Sequence, residues 1–249
     1  MSTSLNGKVA VITGSSRSIG AAIAKHMASQ GAKVVVNYVH GAQAADEVVK
    51  AIKQSGGSAV AIGSDVSTIA GGQHLVDEAV KAFGGIDILV LNAGIMGSKV
   101  LADVDEEFYD SHFATNVKGP LFLAKAAASL LPPRVRCIPK YLTLTAASVV
   151  SPTALVYTAT KGAVEQLSRI LAKDLGAKGI TVNTVSPGPV NTPLFREGKP
   201  QQLIDTLAKA APSGRLGEVD DIAPVVTFLA SEAAQWVNGQ NVRVNGGFA

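Results

Sequence analysis

The sequence predicts an α/β fold: a doubly wound parallel sheet of about seven strands with helices on both faces. Three observations predict it. Short apolar runs alternate with longer helical patterns along the whole chain. Several of these runs are apolar nearly throughout, the pattern of strands buried on both faces of a parallel sheet. The length of 249 residues suits one large domain over 1–249, with no linker, repeat or low-complexity tract to divide it.

The elements follow in order. Lys8 to Thr13 (KVAVIT) reads as the first strand, and Ile19 to Gln30 as a helix ended by Gly31. Lys33 to Tyr38 (KVVVNY) is the second strand, Gln43 to Ser55 a helix stopped by Gly56-Gly57, and Ser58 to Ile62 the third strand. Gln73 to Phe83 is a helix stopped by Gly84-Gly85, and Ile86 to Leu91 (IDILVL) is the fourth strand. Glu106 to Leu131 reads as mostly helical, with an interruption expected near Gly119-Pro120. Tyr141 to Thr145 is a strand, Leu155 to Ala177 a long helix, Ile180 to Val185 a strand and Asn241 to Asn245 the last strand.

Composition narrows the function classes. Hydrophobic residues make up 47% and charged residues 16%, which argues against a disordered chain. The formal charge is +3 with no cluster of Lys or Arg, which argues against a nucleic-acid partner. Cys137 stands alone, so no disulfide forms within the chain and a reducing, cytoplasmic setting is expected. Met1 to Lys8 lacks the order of a signal peptide. No apolar run approaches the ~20 residues that span a bilayer, so no membrane partner is expected. His26, His40, His74 and His112 are scattered without ligand spacing, and no metal is expected.

The first strand runs into Thr13-Gly14-Ser15-Ser16-Arg17-Ser18-Ile19-Gly20, where a helix opens. Small residues let the backbone approach a pyrophosphate, and a helix N-terminus offers N–H groups and partial positive charge. A small-residue turn can also merely connect strand to helix. Its position after the first strand of a βαβ unit favours dinucleotide binding. A carboxylate at the end of the second strand would favour NAD. Asn37-Tyr38-Val39-His40 stands there instead, and Arg17 can reach a 2′-phosphate as a charged fork, so NADPH is the expected cofactor. Tyr157 and Lys161 lie four apart, on one face of a helix. An ammonium beside a phenol is expected to lower its pKa from about 10, giving a proton donor near neutral pH.

These residues resemble the short-chain dehydrogenase/reductase family. Thr13-Gly14-x-x-x-Ser18-Ile19-Gly20 is similar to its TGxxxGxG turn, with Ser18 where the family usually has its middle glycine, a change expected to be tolerated. Asn92-Ala93-Gly94 resembles the NAG segment, Asn116 the family's helix asparagine, and Tyr157-x-x-x-Lys161 its catalytic pair. The likeness covers most of the chain, and its nearest members are the 3-oxoacyl-carrier-protein and polyhydroxynaphthalene reductases. It implies a Rossmann-type domain that reduces a ketone with hydride from the nicotinamide and a proton from Tyr157. It implies further that Asn116 helps hold a water linking Lys161 to solvent, and that Asp65, followed by Val66, lies beside the adenine.

The family also uses a serine before the tyrosine. Ser148 fits the local context and Thr145 fits the spacing better, so both hydroxyls stay open, with Ser148 first. Ser186-Pro187-Gly188-Pro189-Val190-Asn191-Thr192-Pro193 resembles the segment that closes over the nicotinamide, with Val190 and Thr192 orienting its carboxamide. Residues 191–211 would form a substrate lid whose Leu194, Phe195, Leu203, Ile204 and Leu207 suit a partly apolar small-molecule carbonyl. In such reductases the long helices and last strand commonly build a homotetramer. The unusual stretch ahead of Tyr157 keeps two alternatives open: a chain of this fold repurposed for non-reductive biosynthetic chemistry, or a cofactor-bound scaffold.

Overall fold

The computed structural model describes residues 3–130, 140–144 and 153–248. Strands and helices alternate: β1 (Val9–Ile12), α1 (Ser18–Ser29), β2 (Lys33–Tyr38), α2 (Ala42–Gln54), β3 (Ser58–Gly63), α3 (Ile69–Phe83) and β4 (Ile88–Leu91). Then come α4 (Glu106–Phe113), α5 (Gly119–Ser129), β5 (Lys140–Leu144), α6 (Leu155–Asp174) and β6 (Thr181–Pro187). The described chain closes with α7 (Pro193–Arg196), α8 (Gln201–Ala210), α9 (Val219–Ala230) and β7 (Asn241–Val244).

The sheet has seven strands in the order β3-β2-β1-β4-β5-β6-β7. Every pairing is parallel, with Val11 opposite Val35 on one side and Leu89 on the other. The strand order reverses between β1 and β4. In such sheets the crevice at the carboxyl ends beside that reversal is where ligands bind.

Alternation along each strand divides the core between the two faces. Ala10, Ile12, Val34, Val36 and Val90 join an apolar cluster with α1 and α9. Val11, Val35, Leu89 and Leu91 turn the other way, against α3 and α5. Burial on both faces is why these strands are apolar at every position.

Two elements differ from the sequence reading for local reasons. The helix expected from Gln73 starts at Ile69, because the Thr68 hydroxyl accepts from Gly71 N–H at 3.0 Å and caps it four residues earlier. The interruption expected at Gly119-Pro120 lies just before it, as a wide π-type turn over Ala114–Lys118. Pro120 sits in the first turn of α5, where a missing N–H costs nothing. Gly119 is needed there because an added Cβ would lie 2.1 Å from the Val66 carbonyl oxygen.

Leu89 is fully buried at the centre of the sheet. Leu89→Ala is expected to lower stability by ~2–5 kcal/mol. Urea denaturation followed by circular dichroism checks this, and a loss below ~1 kcal/mol would place the core elsewhere.

Candidate active site

The turn from β1 into α1 is built by packing against the neighbouring strand ends. Gly14 has φ 59, and a Cβ there would press on Ala93 at 3.0 Å. At Gly20 a Cβ would lie 2.5 Å from Gly14 O, so α1 can begin this close to the turn only with glycine. The Asn37 amide accepts from Gly14 N–H at 3.2 Å and donates to Ile62 O and Ser64 O at 3.3 and 3.0 Å. Asn37, expected at the cofactor, thus turns its side chain inward and shapes the turn. Asn92 donates to Thr13 O and Gly14 O at 2.9 and 3.0 Å, and its own N–H and that of Ala93 donate to the Thr13 hydroxyl at 2.9 Å. The ends of β1, β2 and β4 form one knot, and Gly14, Asn37, Asn92 and Ala93 meet in it.

Ser16, Arg17 and Ser18 follow on the solvent side, where the first N–H groups of α1 lack partners inside the helix, and Ile19 turns back against the apolar cluster. Arg17 is exposed with an extended backbone, and its side chain makes no capping bond. Among the described residues Ser18 alone is a non-glycine with positive φ, at 52°. The tolerance expected of serine is therefore bought with backbone strain, since an L side chain in this region costs ~1–2 kcal/mol. Tyr38 packs its ring over Gly63, and the exposed Asp65 accepts from Ser67 N–H and Oγ at 3.0 and 2.7 Å beside buried Val66.

Tyr157 and Lys161 sit on the first two turns of α6, with the ammonium 5.5 Å from the phenol ring centre. The helix is placed by Lys99 N–H, which donates to Thr153 O at 2.9 Å, and by Asn116 on the π-type turn. Asn116 is buried; its amide donates to Ile95 O at 3.0 Å and Thr160 Oγ1 at 3.1 Å, and accepts from Ile95 N–H at 2.9 Å. Gly94 closes the group: a Cβ there would lie 3.2 Å from Asn116 Oδ1 and 3.5 Å from Lys161 Nζ. Asn116, Gly94 and Lys161 thus converge at the carboxyl end of β4.

The electrostatics correct one expectation. Burial pushes the Tyr157 phenol up to about 12, where the ammonium was expected to pull it down. Burial also lowers Lys161 to about 8, because the ammonium has lost its water as well. The phenol therefore keeps its proton at neutral pH and is chemically an acid. Ser148 and Thr145 lie outside the described residues.

Pro187 ends β6, and Gly188 donates to Val244 O at 3.1 Å with its α-carbon against Asn245. Val190 is buried and bridges to Gly217. The Thr192 hydroxyl accepts from Phe195 N–H at 3.2 Å and so caps α7, a duty the sequence reading missed although Thr before Pro is a helix-start signal. On the expected lid, Ile204 is buried, whereas Leu194 and Leu203 are exposed. Phe195 carries Lys199 Nζ 5.0 Å from its ring centre. The knotted turn, the glycine contacts and the missing carboxylate after β2 fit a dinucleotide with a 2′-phosphate.

No helix among the described residues is long and apolar enough to cross a membrane. A family model described as "Enoyl-(Acyl carrier protein) reductase" matches residues 14–249. The chain belongs to the short-chain dehydrogenase/reductase family. A relative described as a probable tetrahydroxynaphthalene reductase, from Zymoseptoria tritici, is 42% identical over 97% of this chain and 94% of its own length. A dehydrogenase/reductase structure from Sinorhizobium meliloti superposes with a TM-score of 0.93 at 37% identity, covering 99% of this chain and 97% of that one. The angucycline C-6 ketoreductase LanV, solved with bound NADP, superposes at 0.89 and 34% identity, covering 98% and 96%.

Relief of strain makes Ser18 testable. Ser18→Gly is expected to stabilise the protein by ~0.5–1 kcal/mol, the strain released less the entropy glycine loses on folding. Ser18→Ala, which keeps the strain, is expected to give no gain. Urea midpoints read both, and equal stability of the two variants would remove the strain from the account.

Proposed function

We propose that the chain is an NADPH-dependent reductase of a partly apolar small-molecule ketone, with Tyr157 as the proton donor. The observation that carries this reading is the pair of half-buried Tyr157 and buried Lys161, on a helix that Asn116 holds through Thr160 at the sheet edge beside the β1–α1 turn. When bound, the cofactor supplies hydride to the carbonyl carbon. Tyr157 protonates the oxygen, and Lys161 as ammonium orients the phenol and eases its return to the protonated form. Asn116 holds the 94–95 segment to α6, and a hydroxyl from Ser148, or Thr145, completes the set.

The binding residues follow the geometry. Gly14, Ser16, Ser18, Ile19 and Gly20 would line the pyrophosphate, with Asn37, Asn92 and Ala93 behind them. Arg17 would hold the 2′-phosphate, Tyr38 its rim, and Asp65 and Val66 the adenine. Gly94, Pro187, Gly188, Val190 and Thr192 would border the nicotinamide, and residues 191–211 would cover it as a lid. The reductase relatives, one of them solved with bound NADP, support the cofactor and the reaction. The reading extends to a cytoplasmic homotetramer. Exposed Trp236 and Ile170 are apolar groups that a subunit contact would cover.

Tyr157→Phe is expected to lower ketone reduction by ~10²–10⁴-fold while NADPH binding is kept. The assay is NADPH consumption against cyclic aromatic ketones, and an unchanged rate in the variant would remove Tyr157 from the chemistry. NADPH bound but consumed by neither protein would point to non-reductive chemistry. In the wild type the reduction rate is expected to hold below pH 8 and to fall above it, as Lys161 loses its proton at about 8. A flat profile from pH 7 to 10 would show that the ammonium is not required.

A further inference from the structure

The nicotinamide loop and the lid share one polar side chain. Asn191 donates its own N–H to Gly217 O at 2.8 Å, while Gly217 N–H donates to Pro189 O at 2.9 Å. Its side-chain amide donates to Glu218 Oε1 at 3.1 Å, and its Oδ1 accepts from Arg196 Nε at 2.8 Å. Arg196 ends α7, the first turn of the lid, and Glu218 opens α9, just past the lid's return. Both ends of the lid are therefore tied to one residue.

The far side of the knot is firm. Glu218 N–H donates to Asp221 at 2.7 Å, and Arg215 grips both oxygens of Asp221 at 2.7 and 3.0 Å. The Arg215 guanidinium and the Glu218 N–H hold that carboxyl down at about 2, so it stays ionised. Apolar packing reaches the lid at Ile204 and Ala211, which are buried. Behind the loop lies a cavity of about 250 Å³, lined by Val190, Leu207, Ala211, Ile222 and Phe248. Ile204 and Ala211 seat the middle and far end of the lid, and the polar knot ties its base.

We propose that Asn191 is a positioning residue, the pin that sets the lid's base and holds the nicotinamide loop in the form that binds NADPH. This rests on the reading of residues 191–211 as a lid. Neighbouring Val190 and Thr192 face inward and are buried, whereas Asn191 faces the lid's two ends, so it acts through them.

The test uses full-length protein with NADPH as the probe. Asn191→Ala is expected to weaken NADPH binding, read by cofactor fluorescence, by about fivefold or more as its hydrogen bonds are lost. Tryptic cleavage after Lys209, on the lid, is expected to quicken while the global urea midpoint stays at the wild-type value. Asn191→Asp is expected to do the same, because it faces Glu218 with a second carboxylate. Adding Glu218→Gln to Asn191→Asp restores a donor and is expected to recover both affinity and protection. Wild-type affinity and cleavage in Asn191→Ala, or no recovery in the double variant, overturns the proposal. If NADPH leaves wild-type cleavage after Lys209 unchanged, the lid reading itself fails and the pin falls with it.

Discussion

A parallel sheet leaves unpaired main-chain groups at its carboxyl edge, and satisfying them there is the constraint on which the rest of this structure depends. The chain meets it with asparagine. Asn37 closes the end of β2 onto the turn from β1 into α1, Asn92 closes β4 onto the same turn, and Asn116 holds the segment after β4 to α6. A carboxamide suits this work because it donates twice and accepts without charge. A carboxylate could only accept, and after β2 it would also repel a 2′-phosphate. Side chains of Asn37 and Asn92 pair Gly14 N–H and the Thr13 and Gly14 carbonyls, and the main chain pairs the N–H groups of Thr13 and Ser15.

The same edge explains how two ionisable groups share a small volume. Burial alone would make Tyr157 a poorer acid and Lys161 a poorer cation, and both shifts are present. The combination fits the proposed reduction: the phenol keeps its proton at neutral pH, and an ammonium near its titration point can pass a proton at little cost. The position of Lys161 comes from helix periodicity, whereas its altered basicity comes from the tertiary wall of Gly94 and Asn116.

That difference marks how far the sequence could be read. Strands such as Val9–Ile12 and Ile88–Leu91 were legible because burial on both faces leaves a continuous apolar run. The end of α3 was legible because Gly84, at φ 87, adopts a conformation that other residues resist. The π-type turn was not, since the contact between Gly119 and the Val66 carbonyl joins residues far apart in the chain. Of the candidate site, the residue types and their order were visible in the motifs. The inward turn of the Asn37 amide, the strain at Ser18 and the rise of the phenol's pKa were not. Each depends on what surrounds the residue in space: Ser64, the packed start of α1, and lost water.

The segment proposed as a lid is held by a different physics from the sheet. Around β1 and β4, buried apolar side chains interdigitate and admit one arrangement. At residues 191–218 a few buried apolar side chains, Ile204, Ala211 and Leu216, are joined by hydrogen bonds near solvent, where each bond is modest and exchangeable with water. A cover that opens for cofactor and substrate is suited to a few apolar contacts and not to a full core, because opening would expose that core. It needs a base that stays attached while its span moves. A small polar knot beside a cavity meets both needs, which is why the residue joining the lid's two ends is an asparagine and not a leucine.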